Sequence, residues 1–101
     1  MNQEPALVRH VFVEGRVQGV GYREFTRRRA LRLGISGWVR NRSDGAVEAV
    51  VRGAAADVEA LLVEMRKGPR GAGVTSLRIV EHKEGEAEAK ETGVFVVRAT
   101  A

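Results

Sequence analysis

Apolar positions along the chain change their spacing several times, and each change marks an element. Leu7 to Glu14 sets Leu7, Val8, Val11, Phe12 and Val13 around Arg9 and His10, and its shortness and β-branched content predict a strand. Glycines at 15, 19 and 21 then interrupt the pattern and predict a loop. From Tyr22 to Leu33 the spacing becomes helical. Tyr22, Phe25 with Thr26, Arg29 with Ala30, and Leu33 form one stripe, while Glu24, Arg27, Arg28 and Arg32 form the wet face. Gly34 is placed to end this helix in a left-handed cap. Ile35 to Arg42 reads as a strand centred on Trp38 and Val39, Ser43-Asp44-Gly45 as a turn, and Ala46 to Arg52 as the strand that completes a hairpin. In that strand Val47, Ala49 and Val51 alternate with Glu48, Val50 and Arg52.

Ala54 to Lys67 carries Val58, Leu61, Leu62 and Met65 at i, i+3, i+4 and i+7, the stripe of a second helix. Asp57 falls in its first turn and Arg66 and Lys67 in its last, which suits the helix dipole, and Gly68-Pro69 stops it. After a glycine-rich loop over 70–73, Val74 to His82 predicts a strand, Glu81 to Glu91 an exposed, charged connection, and Val94 to Arg98 a last strand. The order is βαββαβ with one extra connection before the end. That order predicts an α+β, ferredoxin-like sandwich, with an antiparallel sheet and two helices on one face. Residues 1–101 are expected to form a single domain, with 1–6 a flexible N-terminal stretch. The glycine loop then lies at one end of the sheet, between the first strand and the first helix.

Charge and composition narrow the chemistry. The net charge is +4, and 14 of the 17 basic residues are Arg, which offers phosphate or carboxylate a planar fork where Lys offers a point charge. An anionic small substrate and a nucleic acid both suit that balance. There is no cysteine, so disulfides, thiolate nucleophiles and cysteine–zinc sites are excluded. The polar start Met-Asn-Gln-Glu-Pro and the lack of a long apolar run give neither a signal peptide nor a membrane span, so a cytoplasmic protein without a membrane partner is expected.

The familiar catalytic patterns are missing too. No G-x-x-x-x-G-K-[ST] or H-E-x-x-H occurs, and the spacing G-x-x-x-G-x-G at 15, 19 and 21 is not the dinucleotide fingerprint. Two histidines, His10 and His82, have no Ser or Asp placed beside them by the pattern, and no carboxylates gather in an apolar context. What remains is guanidinium, amide and backbone N–H groups, which stabilise charge and position water but make no strong nucleophile or base. A strand–glycine loop–helix junction over residues 14–23 directs such N–H groups at one spot and suits an anion. Arg23, at the start of the helix, reads either as a fork for that anion or as a surface cation like Arg27 and Arg28; on spacing alone the surface reading is the commoner. Asn41, just before the turn, reads either as an amide that holds water or substrate, or as an ordinary turn-flanking residue. Trp38 is expected in the core, His10 on a partly exposed strand, and the arginines at 27–29 on a solvated face.

At this point longer motifs come into register. Gly15-Arg16-Val17-Gln18-Gly19-Val20-Gly21-Tyr22-Arg23 is followed by Ala30-x-x-Leu33-Gly34-Ile35-x-Gly37-Trp38-Val39-x-Asn41 and by Asp44-Gly45-x-Val47-Glu48. Gly53, Gly68-Pro69, Ala72-x-Val74 and Phe95-x-x-Arg98 follow in order. Over about residues 8 to 98 the chain resembles the acylphosphatase family. The resemblance implies metal-independent hydrolysis of carboxyl-phosphate anhydrides to a carboxylate and inorganic phosphate, without a cofactor. It implies that Arg23 binds the phosphate and Asn41 orients the attacking water. The backbone of Gln18, Gly19, Val20, Gly21 and Tyr22 would complete the phosphate loop. Tyr22 stands where the family usually has Phe, so its hydroxyl needs a polar partner or water. Arg16 and Gln18 are read as shaping the loop.

Two other readings use the same sandwich. A nucleic-acid module would stack bases on exposed sheet aromatics, but Phe12, Tyr22, Phe25, Trp38 and Phe95 are all the aromatics of this kind, and two of them belong to the first helix. An acylphosphatase-like domain of a larger carbamoyl-phosphate enzyme is the other; the chain of 101 residues favours an independent unit, expected to be a monomer.

Overall fold

The computed structural model describes residues 6–80 and 94–101. The elements run β1 (Ala6–Arg16), α1 (Tyr22–Arg32), β2 (Ser36–Asn41), β3 (Val47–Ala54), α2 (Ala55–Lys67), β4 (Gly73–Val80) and β5 (Phe95–Val97). The βαββαβ order expected from periodicity is observed, and the last strand expected over Val94 to Arg98 follows it as β5. Residues 1–5 of the expected tail lie outside the described residues, while Ala6 opens β1 and pairs with Ala54. His82 and the expected connection over Glu81 to Glu91 also lie outside them.

The sheet order is β4-β1-β3-β2-β5. β4, β1, β3 and β2 pair antiparallel, but β5 pairs parallel to β2, with Trp38 opposite Val96. The sheet is thus mixed, where a wholly antiparallel one was expected. The reason is directional. β5 runs back against β4 and joins the far edge of the sheet, where its neighbour β2 already points the same way.

Both helices cover one face. α1 lies over β2 and β5, and α2 over β1, β3 and β4. Between them and the sheet sits one core, which joins Val11, Val13, Val39, Val47, Ala49 and Val51 to Val58, Leu61, Leu62 and Met65. The alternation along β3 explains this division, since successive side chains point to opposite faces. Burying a core valine or leucine contributes roughly 1.5–3 kcal/mol. Within α1, Tyr22, Thr26 and Ala30 face this core.

The helix-free face is polar and aromatic. Glu48 receives His10 Nε2 at 2.7 Å, Arg40 Nε at 2.9 Å and Arg42 Nη1 at 3.2 Å. Trp38 is buried, as expected, but on this face rather than among the helix-facing residues. The guanidinium groups of Arg40 and Arg98 lie over its ring at 4.9 and 4.5 Å. Arg42 and Arg78 cover Phe12 in the same way, at 5.4 and 5.0 Å.

Candidate active site

The loop after β1 is shaped by alternating anchors and glycines. β1 shifts register between Glu14 and Gly15, the mark of a bulge. Gly15 adopts φ +118°, and a Cβ there would run into the Gly73 carbonyl oxygen across the strand pair, so this close approach requires glycine. Val17 is buried in the core and Val20 packs against it. Gly19 and Gly21 take left-handed conformations, each at φ 78°. Gly21 is the N-cap of α1, and no side chain among the described residues caps this helix. The first intrahelical bond at this end is Phe25 N–H to the Gly21 carbonyl, at 3.0 Å. The N–H groups of Tyr22, Arg23 and Glu24 therefore have no acceptor within the helix.

Tyr22 fixes where α1 begins. Its ring is 1% exposed, and its hydroxyl donates to the Met65 carbonyl oxygen at 2.7 Å. That is the polar partner the departure from Phe requires. Met65 lies four residues before Pro69, which has no N–H to offer that carbonyl. Burial pushes the Tyr22 hydroxyl pKa well above its ordinary value, so it remains a donor.

An open cleft of about 320 Å³ forms where this loop meets the end of β2 and β5, lined by Val17, Gly19, Gly21, Tyr22, Arg23, Glu24, Asn41 and Val97. Of the residues singled out in the sequence, Arg23, Asn41, Gly19, Gly21 and Tyr22 converge here. Val20 and Gln18 do not line the cleft. Val20 packs inward, and the Gln18 side chain turns toward the β2–β3 hairpin, donating to the Arg42 and Ala46 carbonyl oxygens at 2.8 and 2.9 Å. Arg16 pairs with Gly73 at the end of β1, outside the cleft.

Arg23 forms no ion pair or hydrogen bond among the described residues. The neighbouring arginines are committed elsewhere: Arg27 and Arg28 bind Glu24 at 2.7 and 3.3 Å, and Arg29 faces Glu64 at 3.3 Å. Hydrogen bonds from Arg27 lead the effects that hold the Glu24 carboxyl at about 2, so it remains ionised yet neutralised by its own helix. An unpaired Arg at a helix N-terminus opposes the dipole, and an anion seated there would satisfy both.

Asn41 closes β2 on the side that faces the helices, one residue beyond the Arg40–Glu48 pair. Its backbone carbonyl accepts from Ala101 N–H at 3.0 Å. Its side-chain Oδ1 is buried and has no hydrogen-bond partner among the described residues, an acceptor left for a group entering the cleft. The turn that follows is held by Asp44, whose Oδ1 accepts Ala46 N–H at 3.0 Å. Sequence reasoning missed Val17, Glu24 and Val97 as cleft residues, Val17 standing one residue before the expected phosphate loop. No local pattern carried the other two: Val97 arrives through the parallel β5–β2 pairing, and Glu24 reads as solvated helix surface. Among the described residues no group of three or more His, Asp or Glu could hold a metal ion.

Comparison with known proteins agrees with this geometry. The acylphosphatase family profile matches residues 9–93. An acylphosphatase of Acidiphilium cryptum is 47% identical over 94 residues, covering 93% of this chain and 98% of its own. The structure of an acylphosphatase from Coxiella burnetii superposes with a TM-score of 0.82 at 34% identity, covering 97% of this chain and all of that one. Full-length HypF in its phosphate- and nucleotide-bound form also superposes at 0.82, with 26% identity, over 98% of this chain but only 13% of its own. The chain belongs to the acylphosphatase family, whose members hydrolyse acyl phosphates.

Proposed function

We propose that the cleft hydrolyses the carboxyl-phosphate anhydride with Arg23 and the α1 N-terminus holding the phosphoryl group and Asn41 holding the attacking water. The observation that carries this reading is the pairing, in one cleft, of an arginine free of any carboxylate with a buried amide oxygen free of any donor, both among the described residues. The phosphoryl oxygens are cradled by Arg23 and by backbone N–H groups of the loop residues that line the cleft, Gly19, Gly21 and Tyr22, and each charge-assisted bond contributes roughly 1.5–3 kcal/mol. The Asn41 side-chain oxygen accepts a hydrogen bond from water and aims its oxygen at phosphorus. Water attacks in line, the bond from phosphorus to the acyl oxygen breaks, and the electron pair leaves with the carboxylate. The leaving carboxylate has a pKa of ~4, so it departs at neutral pH without a general acid. The water's proton passes to a phosphoryl oxygen, which gives dihydrogen phosphate and balances the step. Chemistry of this kind rests on positioning and charge neutralisation. The chain acts as a monomer on a small acyl phosphate in the cytoplasm.

Purified protein should hydrolyse acetyl phosphate and benzoyl phosphate at the same rate with and without a chelator. Arg23→Ala should weaken inhibition by inorganic phosphate by about 100-fold or more, the loss of a bidentate charged contact. Asn41→Ala should lower kcat far more than it changes phosphate inhibition. Absence of wild-type turnover would remove the reading altogether.

A further inference from the structure

We propose that Gln18 is a positioning residue that sets the distance between the bound phosphoryl group and the water held by Asn41. This rests on the roles of Arg23 and Asn41 proposed above. The sheet order makes such a part necessary. The phosphate loop leaves β1 and Asn41 ends β2, yet β1 and β2 are not neighbours, because β3 lies between them. Gln18 spans that gap in one side chain. Its Nε2 donates both hydrogens, one to the Arg42 carbonyl at 2.8 Å and one to the Ala46 carbonyl at 2.9 Å. Arg42 directly follows Asn41, and Ala46 directly precedes β3. Gln18 itself lies between two residues of the cleft wall, Val17 and Gly19.

The same two carbonyls hold the mouth of the turn. The Arg42 carbonyl also accepts Gly45 N–H at 3.1 Å, and the Ala46 carbonyl accepts Arg42 N–H at 2.9 Å. Gln18 thus grips the hairpin where its backbone is already fixed, close to Asn41 and away from the phosphate. Phosphate affinity draws on the loop and Arg23 alone. In-line attack draws on both sides of the gap, and a displacement of about 1 Å can cost ~100-fold in rate. Loss of the strut therefore separates the two quantities.

The test compares Gln18→Met, which keeps the length and removes both donors, with wild type on acetyl phosphate. The expected result is a kcat lower by ~10–100-fold, an inorganic phosphate inhibition constant close to wild type, and a cooperative melt. In an Asn41→Ala background the same substitution should cost no further kcat, since residues acting as a unit are non-additive. Gln18→Asn, which withdraws the amide by one methylene, makes the same measurement should the Met variant fail to fold. Parallel losses of kcat and phosphate affinity, or costs that multiply in the Asn41→Ala background, would mean a general structural role and overturn the inference. Unchanged kcat in a folded variant overturns it as well, while wild-type turnover leaves the reading of the cleft standing. A wild type without turnover removes both.

Discussion

Tyr22 shows how a single atom couples the loop to the far helix. Its hydroxyl supplies the donor that Pro69 cannot give to the Met65 carbonyl, so it joins the start of α1 to the end of α2 beneath the cleft. Thr26, fully buried one turn later, returns its own hydroxyl to the Tyr22 carbonyl at 3.0 Å. Tyr22→Phe should keep the packing and strip one buried acceptor of its partner, at a cost of about 1–3 kcal/mol. For a domain of this size each kcal/mol lowers Tm by about 4–8 °C, which differential scanning fluorimetry would read. Turnover at 25 °C should stay within about twofold of wild type, because the ring alone sets the packing of the loop. A drop in kcat with unchanged Tm would show instead that the hydroxyl acts on the chemistry. Gly21 makes a complementary point. It stands in a left-handed conformation at the N-cap with open space around a hypothetical Cβ, so its value lies in backbone conformation and not in room.

At the scale of elements, the β2–β3 hairpin carries Asn41 on one face and the Glu48 cluster on the other. Burial pushes the Glu48 carboxyl up, but hydrogen bonds from His10, Arg40 and Arg42 and the arginine charge outweigh it, so its pKa lies below the ordinary 4.5. A carboxyl with a lowered folded pKa contributes stability that is present above its unfolded value and is lost as pH falls through the folded value. Urea unfolding at pH 7 and pH 3 should therefore show an acid loss, and Glu48→Gln should shrink that loss while lowering stability at pH 7. An equal acid loss in both proteins would assign the effect to other carboxyls, such as Glu24 and Asp44. This cluster was invisible in the sequence for a physical reason. Alternation along β3 told which residues share a face, but only strand register brings Glu48 opposite Phe12 and Arg40. Local patterns did reveal the helices, the hairpin turn at Ser43-Asp44-Gly45 and the loop glycines, because propensity and periodicity act over a few residues. The parallel seating of β5, the Gln18 strut and the presence of Val97 in the cleft depend on pairings across tens of residues, which periodicity cannot register.

For the molecule as a whole, the distribution of arginines decides what the charge is for. Most of those on α1 are paired with carboxylates, and four on the helix-free face lie over Trp38 and Phe12. Those two rings therefore offer no bare platform for stacked bases, which weakens the nucleic-acid reading. Arg23 stands apart because its charge is unspent, and it faces a helix end whose N–H groups are also unspent. A ligand that binds only the folded state stabilises it by RT ln(1 + [L]/Kd), about 2.7 kcal/mol at a hundredfold excess over Kd. Inorganic phosphate should accordingly raise Tm in a saturating manner, and sulfate should act in the same direction through the same cradle. Arg23→Ala should melt near the wild-type temperature without phosphate, since the residue has no partner to lose among the described residues, and should gain little when phosphate is added. Asn41→Ala should keep the full gain. Sodium chloride at matched ionic strength separates this site effect from general screening, which acts within roughly 10 Å at 0.1 M salt. Equal phosphate protection of wild type and Arg23→Ala would place the anion elsewhere on the basic surface.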